Sequence, residues 1–126
     1  MIIGIDFDGT CVTHEYPSIG EDIGAVDTLR ELANSGHQLI LWTMRSGYTL
    51  EHAIKWFECY GIPLYGIQEN PTQKKWTDSP KAYCQLYIDD AALGCPLKWD
   101  ETKSGRPFVD WQAVREMLIG LNILKP

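Results

Sequence analysis

Positive charge is scarce in this chain. Eleven lysines and arginines stand against 17 aspartates and glutamates, a net charge of −6. A diffuse acidic surface repels polyanions, which disfavours extended nucleic-acid binding but not a small phosphorylated molecule held by a few local cations. Long apolar runs are also missing. None approaches the ~20 residues that cross a bilayer, so no membrane partner is expected. Cysteine is sparse, and Cys11, Cys59, Cys84 and Cys95 form no CxxC or Cys/His cluster, which argues against zinc. They read as reduced core residues of a cytoplasmic protein. The chain opens on apolar residues with neither a basic region nor a cleavage site, so no signal peptide is expected. Repeats, low-complexity tracts and linkers are absent. At 126 residues, 44% hydrophobic and 22% charged, residues 1–126 are expected to form a single globular domain.

What is present is organised around Met1–Thr10, MIIGIDFDGT. Ile2, Ile3 and Ile5 make an apolar, β-branched run, the pattern of a strand buried on both faces of a parallel sheet. Asp6 and Asp8 then arrive two residues apart, followed by Gly9 and Thr10. Open α/β folds bind ligands at that edge of the sheet. Two carboxylates held there need a cation or a proton to offset their desolvation, and a divalent metal with oxygen ligands is the simplest offset. An Asp-Gly turn is the plain alternative. An EF-hand is excluded, because its sixth and twelfth positions, counted from Asp6, hold Cys11 and Pro17 rather than Gly and Glu.

The periodicity predicts a helix over Glu21–Ser35 with Val26, Leu29, Leu32 and Ala33 inward, and a second over Tyr48–Tyr60 with Leu50, Ala53, Ile54 and Phe57 inward. A last helix is expected after an N-cap at Asp110, burying Trp111, Val114, Leu118 and Leu121. Strands are expected at Gln38–Trp42, Leu64–Ile67 and Gln85–Ile88, with a short edge strand near Pro96–Trp99. An irregular stretch from Cys11 to Gly20 is expected to arch over the carboxylate pair. His14 and Tyr16 lie on it, either as surface residues or as substrate contacts. The fold class is therefore α/β, with a mainly parallel central sheet.

Three of these strands end in chemistry: the first in Asp6 and Asp8, the second in Thr43, the fourth in Asp89 and Asp90. Parallel strands bring their C-terminal ends to one edge, where four carboxylates would repel one another without a metal. In this the chain resembles the haloacid dehalogenase-like (HAD) hydrolase superfamily. The first family motif stands as Ile2–Thr10, the second as Leu39–Thr43, the fourth as Leu86–Asp90, in the family's order over residues 1–94. The third element is a lysine. Lys81 comes first on its spacing to Asp89; Lys74 and Lys75 are alternatives, since Pro80 precedes Lys81 where family lysines are often followed by proline. The resemblance implies a three-layer Rossmann-like fold. No insertion is long enough for a sizeable cap domain.

The resemblance further implies a Mg²⁺-dependent phosphatase that hydrolyses a phosphomonoester through an aspartyl-phosphate. Asp6 would be the nucleophile and Asp8 the general acid and base, its pKa raised by neighbouring carboxylates. Mg²⁺ would sit among Asp6, the backbone carbonyl of Asp8, and Asp89, with Asp90 direct or through water. Thr43 would hydrogen-bond a phosphoryl oxygen and Lys81 would add a fixed positive charge. Arg45 lies outside the family pattern and is read either as a grip on the far end of the substrate or as a structural ion pair. The expected partner is a small phosphorylated molecule. A homo-oligomer, in which a second subunit covers the site, is left open. Competing readings are a polynucleotide-end phosphatase of the same fold and a non-catalytic receiver-like or scaffold domain. A receiver needs a phosphoacceptor Asp after its third strand, where this chain has Gln68 and Glu69.

Overall fold

The computed structural model describes residues 1–126. Four strands form one sheet: β1 (Ile2–Ile5), β2 (Gln38–Leu41), β3 (Gly66–Ile67) and β4 (Leu86–Ile88). Their order is β3-β2-β1-β4, and every pairing is parallel. Ile3 lies opposite Leu39 on one side and Leu86 on the other, so the apolar run of β1 is central and buried as its composition requires. The chain builds outward from β1 to β3 and then returns to β4 on the far side of β1. The strand order thus reverses between β1 and β4, the position where open α/β sheets leave a crevice at their carboxyl ends.

The helices are α1 (Ala25–Asn34), α2 (Gly47–Cys59) and α3 (Trp111–Gly120). One apolar cluster holds Leu29 and Leu32 of α1, Ala53 and Phe57 of α2, and Val114 and Leu118 of α3. It also holds the alternate strand residues Ile3, Ile5, Leu39 and Leu41. All three helices therefore share one face of the sheet. The opposite face, with Ile40 buried outside that cluster, is covered by the segment between β3 and β4, which contains a 3₁₀ turn at Gln73–Lys75. The third layer is a loop held by side-chain amides, not a helix. Buried Gln73 donates from Nε2 to the carbonyls of Ser79 (3.0 Å) and Lys81 (2.7 Å), and its Oε1 accepts from the Tyr83 amide (2.7 Å). No cap domain is present.

Several boundaries depart from the sequence pattern. Helix α1 starts at Ala25 instead of Glu21, because Asp22 bridges to Val12 and Gly24 takes a left-handed conformation (φ 90°) ahead of the first turn. At the end of α3, Leu121 is the C-cap and is 60% exposed, so it does not join the core. The expected N-cap holds: the Asp110 carboxylate accepts from the Ala113 amide at 3.1 Å. The expected edge strand is β5 (Leu97–Lys98), paired antiparallel with β6 (Phe108–Val109), which the pattern did not signal. The four cysteines are unpaired, and only Cys11 and Cys84 are buried. No helix is long and apolar enough to cross a membrane.

Phe57 ties the helical layer to the functional edge. It is fully buried and tilted against Phe7, which lies between the two aspartates of the first motif, with ring centroids 6.2 Å apart. Truncation to Ala removes that contact and leaves a cavity. Phe57→Ala is predicted to lose about 3–5 kcal/mol in urea unfolding; a loss below about 1 kcal/mol would show that the helical layer repacks without it.

Candidate functional site

Three carboxylates meet at the switch point between β1 and β4. Asp6 follows β1, and its amide donates to the Ile88 carbonyl at 3.0 Å, which holds its backbone in register with β4. Asp89 and Asp90 follow β4. Asp6, Asp89 and Asp90 can each turn an oxygen toward a common point, with those oxygens all within 4.8 Å of one another. Carboxylate oxygens are hard donors, and three at this spacing form a set that Mg²⁺, Mn²⁺ or Ca²⁺ would accept.

Their protonation reflects the same crowding. Burial, with added repulsion from Asp89 and Asp90, raises the Asp6 carboxyl to about 8 against the pull of its hydrogen bond from Thr10. Asp89 is also raised, by burial first and then by Asp90. Fully buried Thr10 braces the pair: its hydroxyl donates to Asp6 Oδ2 at 2.6 Å and accepts from the Asp90 amide at 3.0 Å. Its carbonyl is in turn fixed by Trp111 Nε1 of α3 at 2.6 Å.

Asp8 is not part of this cluster. Its carboxylate makes a bidentate pair with Arg45, Nε to Oδ2 at 2.8 Å and Nη2 to Oδ1 at 2.7 Å. Its immediate charged partner is thus a guanidinium, where the sequence reading had placed carboxylates. Arg45 is correspondingly no free substrate grip. It is 1% exposed and spends its remaining donors on the carbonyls of Pro17, Ser18 and Thr49.

Thr43 lies at the same edge, just past β2. Its backbone is bracketed by the Gln68 side chain, whose Oε1 accepts from the Thr43 amide at 2.8 Å and whose Nε2 donates to the Thr43 carbonyl at 2.6 Å. Gln68 does this from a left-handed backbone (φ 60°) after β3. The Thr43 hydroxyl oxygen accepts from the Arg45 amide at 3.2 Å, so its own proton remains to be donated.

The three candidate lysines are not brought to the carboxylates. Lys81 is exposed, with its ammonium 5.4 Å from the centroid of Tyr87, beside a cavity of about 270 Å³ that Trp76 and Tyr83 also line. Tyr87 precedes Asp89 by two residues, one strand repeat of about 6.6 Å. Lys74 lines a different cavity of about 360 Å³ together with Gln68, Glu69 and Thr77, and Lys75 is exposed on the 3₁₀ turn.

One contributor, Gln68, has no sequence signal for its role: the pattern marks it only as unable to be a phosphoacceptor. His14, for which the pattern allows a surface or a substrate role, has its Nε2 3.0 Å from Asp90 Oδ2. Its ring fills the space beside Gly9, where a Cβ would collide with it. The expected arch of Cys11–Gly20 is therefore tethered to β4 through His14 and to the end of β2 through Arg45.

The fold and this edge define a class: a small parallel α/β domain with an acidic, metal-competent crevice at its switch point and no cap. The chain is similar to the solved structure of a conserved protein from Bacteroides thetaiotaomicron, at 36% identity over 96% of this chain and 91% of the other, with a TM-score of 0.79. It belongs to the same family as that protein. No protein-family model matches the chain, and the search of curated proteins gave no match.

The raised Asp6 carboxyl makes a signed prediction. The unfolded chain ionises this group near 3.8 and the ion-free fold near 8. The stability tied to the retained proton is complete at low pH and falls as pH rises from about 4 toward 8. Asp6→Asn should therefore raise the melting temperature of the ion-free protein at pH 8 by ~3–5 °C, the shift that about 1 kcal/mol gives in a domain of this size, and by less at pH 5. Mg²⁺ should stabilise the wild type more at pH 8 than at pH 5, because it competes with protons for the same oxygens. Calorimetric scans with chelator and with Mg²⁺ check both; a variant less stable than wild type at pH 8 without metal would contradict the repulsion.

Proposed function

We propose that the chain is a Mg²⁺-dependent phosphatase that hydrolyses a small phosphomonoester through an aspartyl-phosphate on Asp6, consistent with its resemblance to the HAD hydrolases. The observation that carries this reading is the convergence of Asp6, Asp89 and Asp90 at one crevice, with the donor hydroxyl of Thr43 at the end of the strand beside β1. A divalent cation at these oxygens would supply the positive charge that keeps Asp6 ionised at neutral pH and offsets the charge of the incoming phosphate.

The residues then divide the work. An Asp6 carboxylate oxygen attacks phosphorus as the ester P–O bond breaks. The leaving oxygen takes a proton from Asp8, and Asp8 recovers one from the water that attacks the acyl-phosphate, releasing inorganic phosphate and Asp6. Arg45 occupies one acceptor site on each Asp8 oxygen, and a carboxylate has about four, so a proton still has a place to sit. Thr43 donates to a phosphoryl oxygen. Lys81 is the candidate for the remaining positive charge. The acidic balance of the chain favours a small substrate over a polynucleotide end. Against a receiver-like role, the residue after β3 is Gln68, already engaged with Thr43. Four free thiols suit a reducing compartment such as the cytoplasm.

Phosphate release from p-nitrophenyl phosphate and a panel of phosphomonoesters tests the proposal. Turnover is predicted to need Mg²⁺, to stop with chelator, and to fall on the order of 10³-fold or more in Asp6→Asn. Metal-independent turnover, or full activity in the variant, would overturn it.

A further inference from the structure

Arg45 is the most connected buried polar group outside the carboxylate cluster. A guanidinium has five N–H donors, and here all five are engaged. Two go to the Asp8 carboxylate at 2.8 and 2.7 Å, one each to the carbonyls of Pro17 (3.2 Å) and Ser18 (2.7 Å), and one to the Thr49 carbonyl of α2 (3.2 Å). Its Cζ lies 5.0 Å from the Phe7 ring centroid and 5.3 Å from that of Tyr16, so the plane is also confined by aromatic surface. Its own backbone is held, since Gln68 Nε2 donates to the Arg45 carbonyl at 3.2 Å and the Arg45 amide donates to Thr43 Oγ1. The side chain is 1% exposed.

We infer that Arg45 is a positioning residue for Asp8 and not a substrate contact. It sets the orientation of the Asp8 carboxylate and, through the Pro17 and Ser18 carbonyls, the seat of the arch that carries His14 to Asp90. The inference rests on the proposed phosphatase reading for its effect on rate, while the clamp itself is independent of that reading. The geometry specifies arginine. A lysine ammonium is a single point of charge on a flexible stem and cannot make the parallel pair to both Asp8 oxygens while also reaching three carbonyls. A carboxylate displaced by about 1 Å from its working place costs up to about 10²-fold in rate.

Two measurements test the clamp. In the phosphatase assay with Mg²⁺, Arg45→Lys is expected to lower kcat roughly 10- to 100-fold with KM within about twofold. The double variant Arg45→Lys, Asp8→Asn should be no slower than Asp8→Asn alone, because both changes disable the same group. A raised KM at unchanged kcat would make Arg45 a substrate contact, and losses that multiply in the double variant would make it act apart from Asp8; either overturns the inference. The second measurement needs no turnover and decides the matter if Arg45→Lys does not fold or if no ester is hydrolysed. In the nitrogen-15 spectrum of wild type, the Arg45 Nε–H resonance should be protected from solvent exchange and should lose protection in Asp8→Asn. Fast exchange in wild type, or protection unchanged by Asp8→Asn, would overturn the clamp. Absent hydrolysis with an intact clamp would mean that the phosphatase reading, not this one, has failed.

Discussion

Mutual repulsion among three carboxylates at the carboxyl edge of β1 and β4 is the constraint that the surrounding structure is arranged to bear. Asp6, Asp89 and Asp90 lie close enough for one ion to touch all three, and burial has already pushed Asp6 to about 8 without one. An arrangement of this kind is costly as packing alone and useful when a cation or a proton completes it. The strands make it affordable. β1 is locked between β2 and β4, so the backbone cannot relax the charges apart. Thr10 supplies a hydroxyl that serves Asp6 and the Asp90 amide together.

The polar groups around the carboxylates follow a consistent logic: Arg45, Gln73 and Thr10 are buried and bonded within the fold. No buried side-chain nitrogen or oxygen lacks a partner, as native interiors require. Arg45 joins the ends of β1 and β2, the first turns of α2 and the arch in one set of five bonds. Gln68 substitutes its amide for a strand neighbour beyond β3, and Gln73 does the same for the loop that forms the third layer. With helices on only one face of the sheet, the Gln73 amide gives the loop on the opposite face its shape, while Gln68 fixes the carboxyl edge at Thr43. At the crevice, the Thr43 hydroxyl keeps a proton to donate outward.

Much of this was legible from residue order. The run Ile2–Ile5 followed by Asp6, and the run Leu86–Ile88 followed by Asp89 and Asp90, place strands and charges together because buried parallel strands are continuous in apolar character and change abruptly at their ends. The inward face of α1 followed from helical spacing, and that of α2 in part: Ala53 and Phe57 are buried as expected, Leu50 and Ile54 only partly, and Trp56, which the spacing did not place, joins the core. What was not legible depends on contacts distant in sequence. The start of α1 is set by a bridge between Val12 and Asp22 and by the left-handed Gly24, and propensity alone carries neither. Arg45 meets Asp8 across 37 residues, so its burial could not be separated from a substrate-facing role. His14 and Asp90 are 76 residues apart. Two-residue β6 is too short to impose a period, and Leu121 fits the helical face yet falls at the cap, where the chain turns outward.

The proposed chemistry requires Asp6 to accept phosphate. The most direct measurement is to quench the protein with borohydride during turnover of a phosphomonoester with Mg²⁺ and to map the product by peptide mass spectrometry. An acyl-phosphate on Asp6 would be reduced to the corresponding alcohol at residue 6, and the conversion would require both Mg²⁺ and substrate. Turnover without reduction at residue 6, or reduction at another carboxylate, would contradict the account.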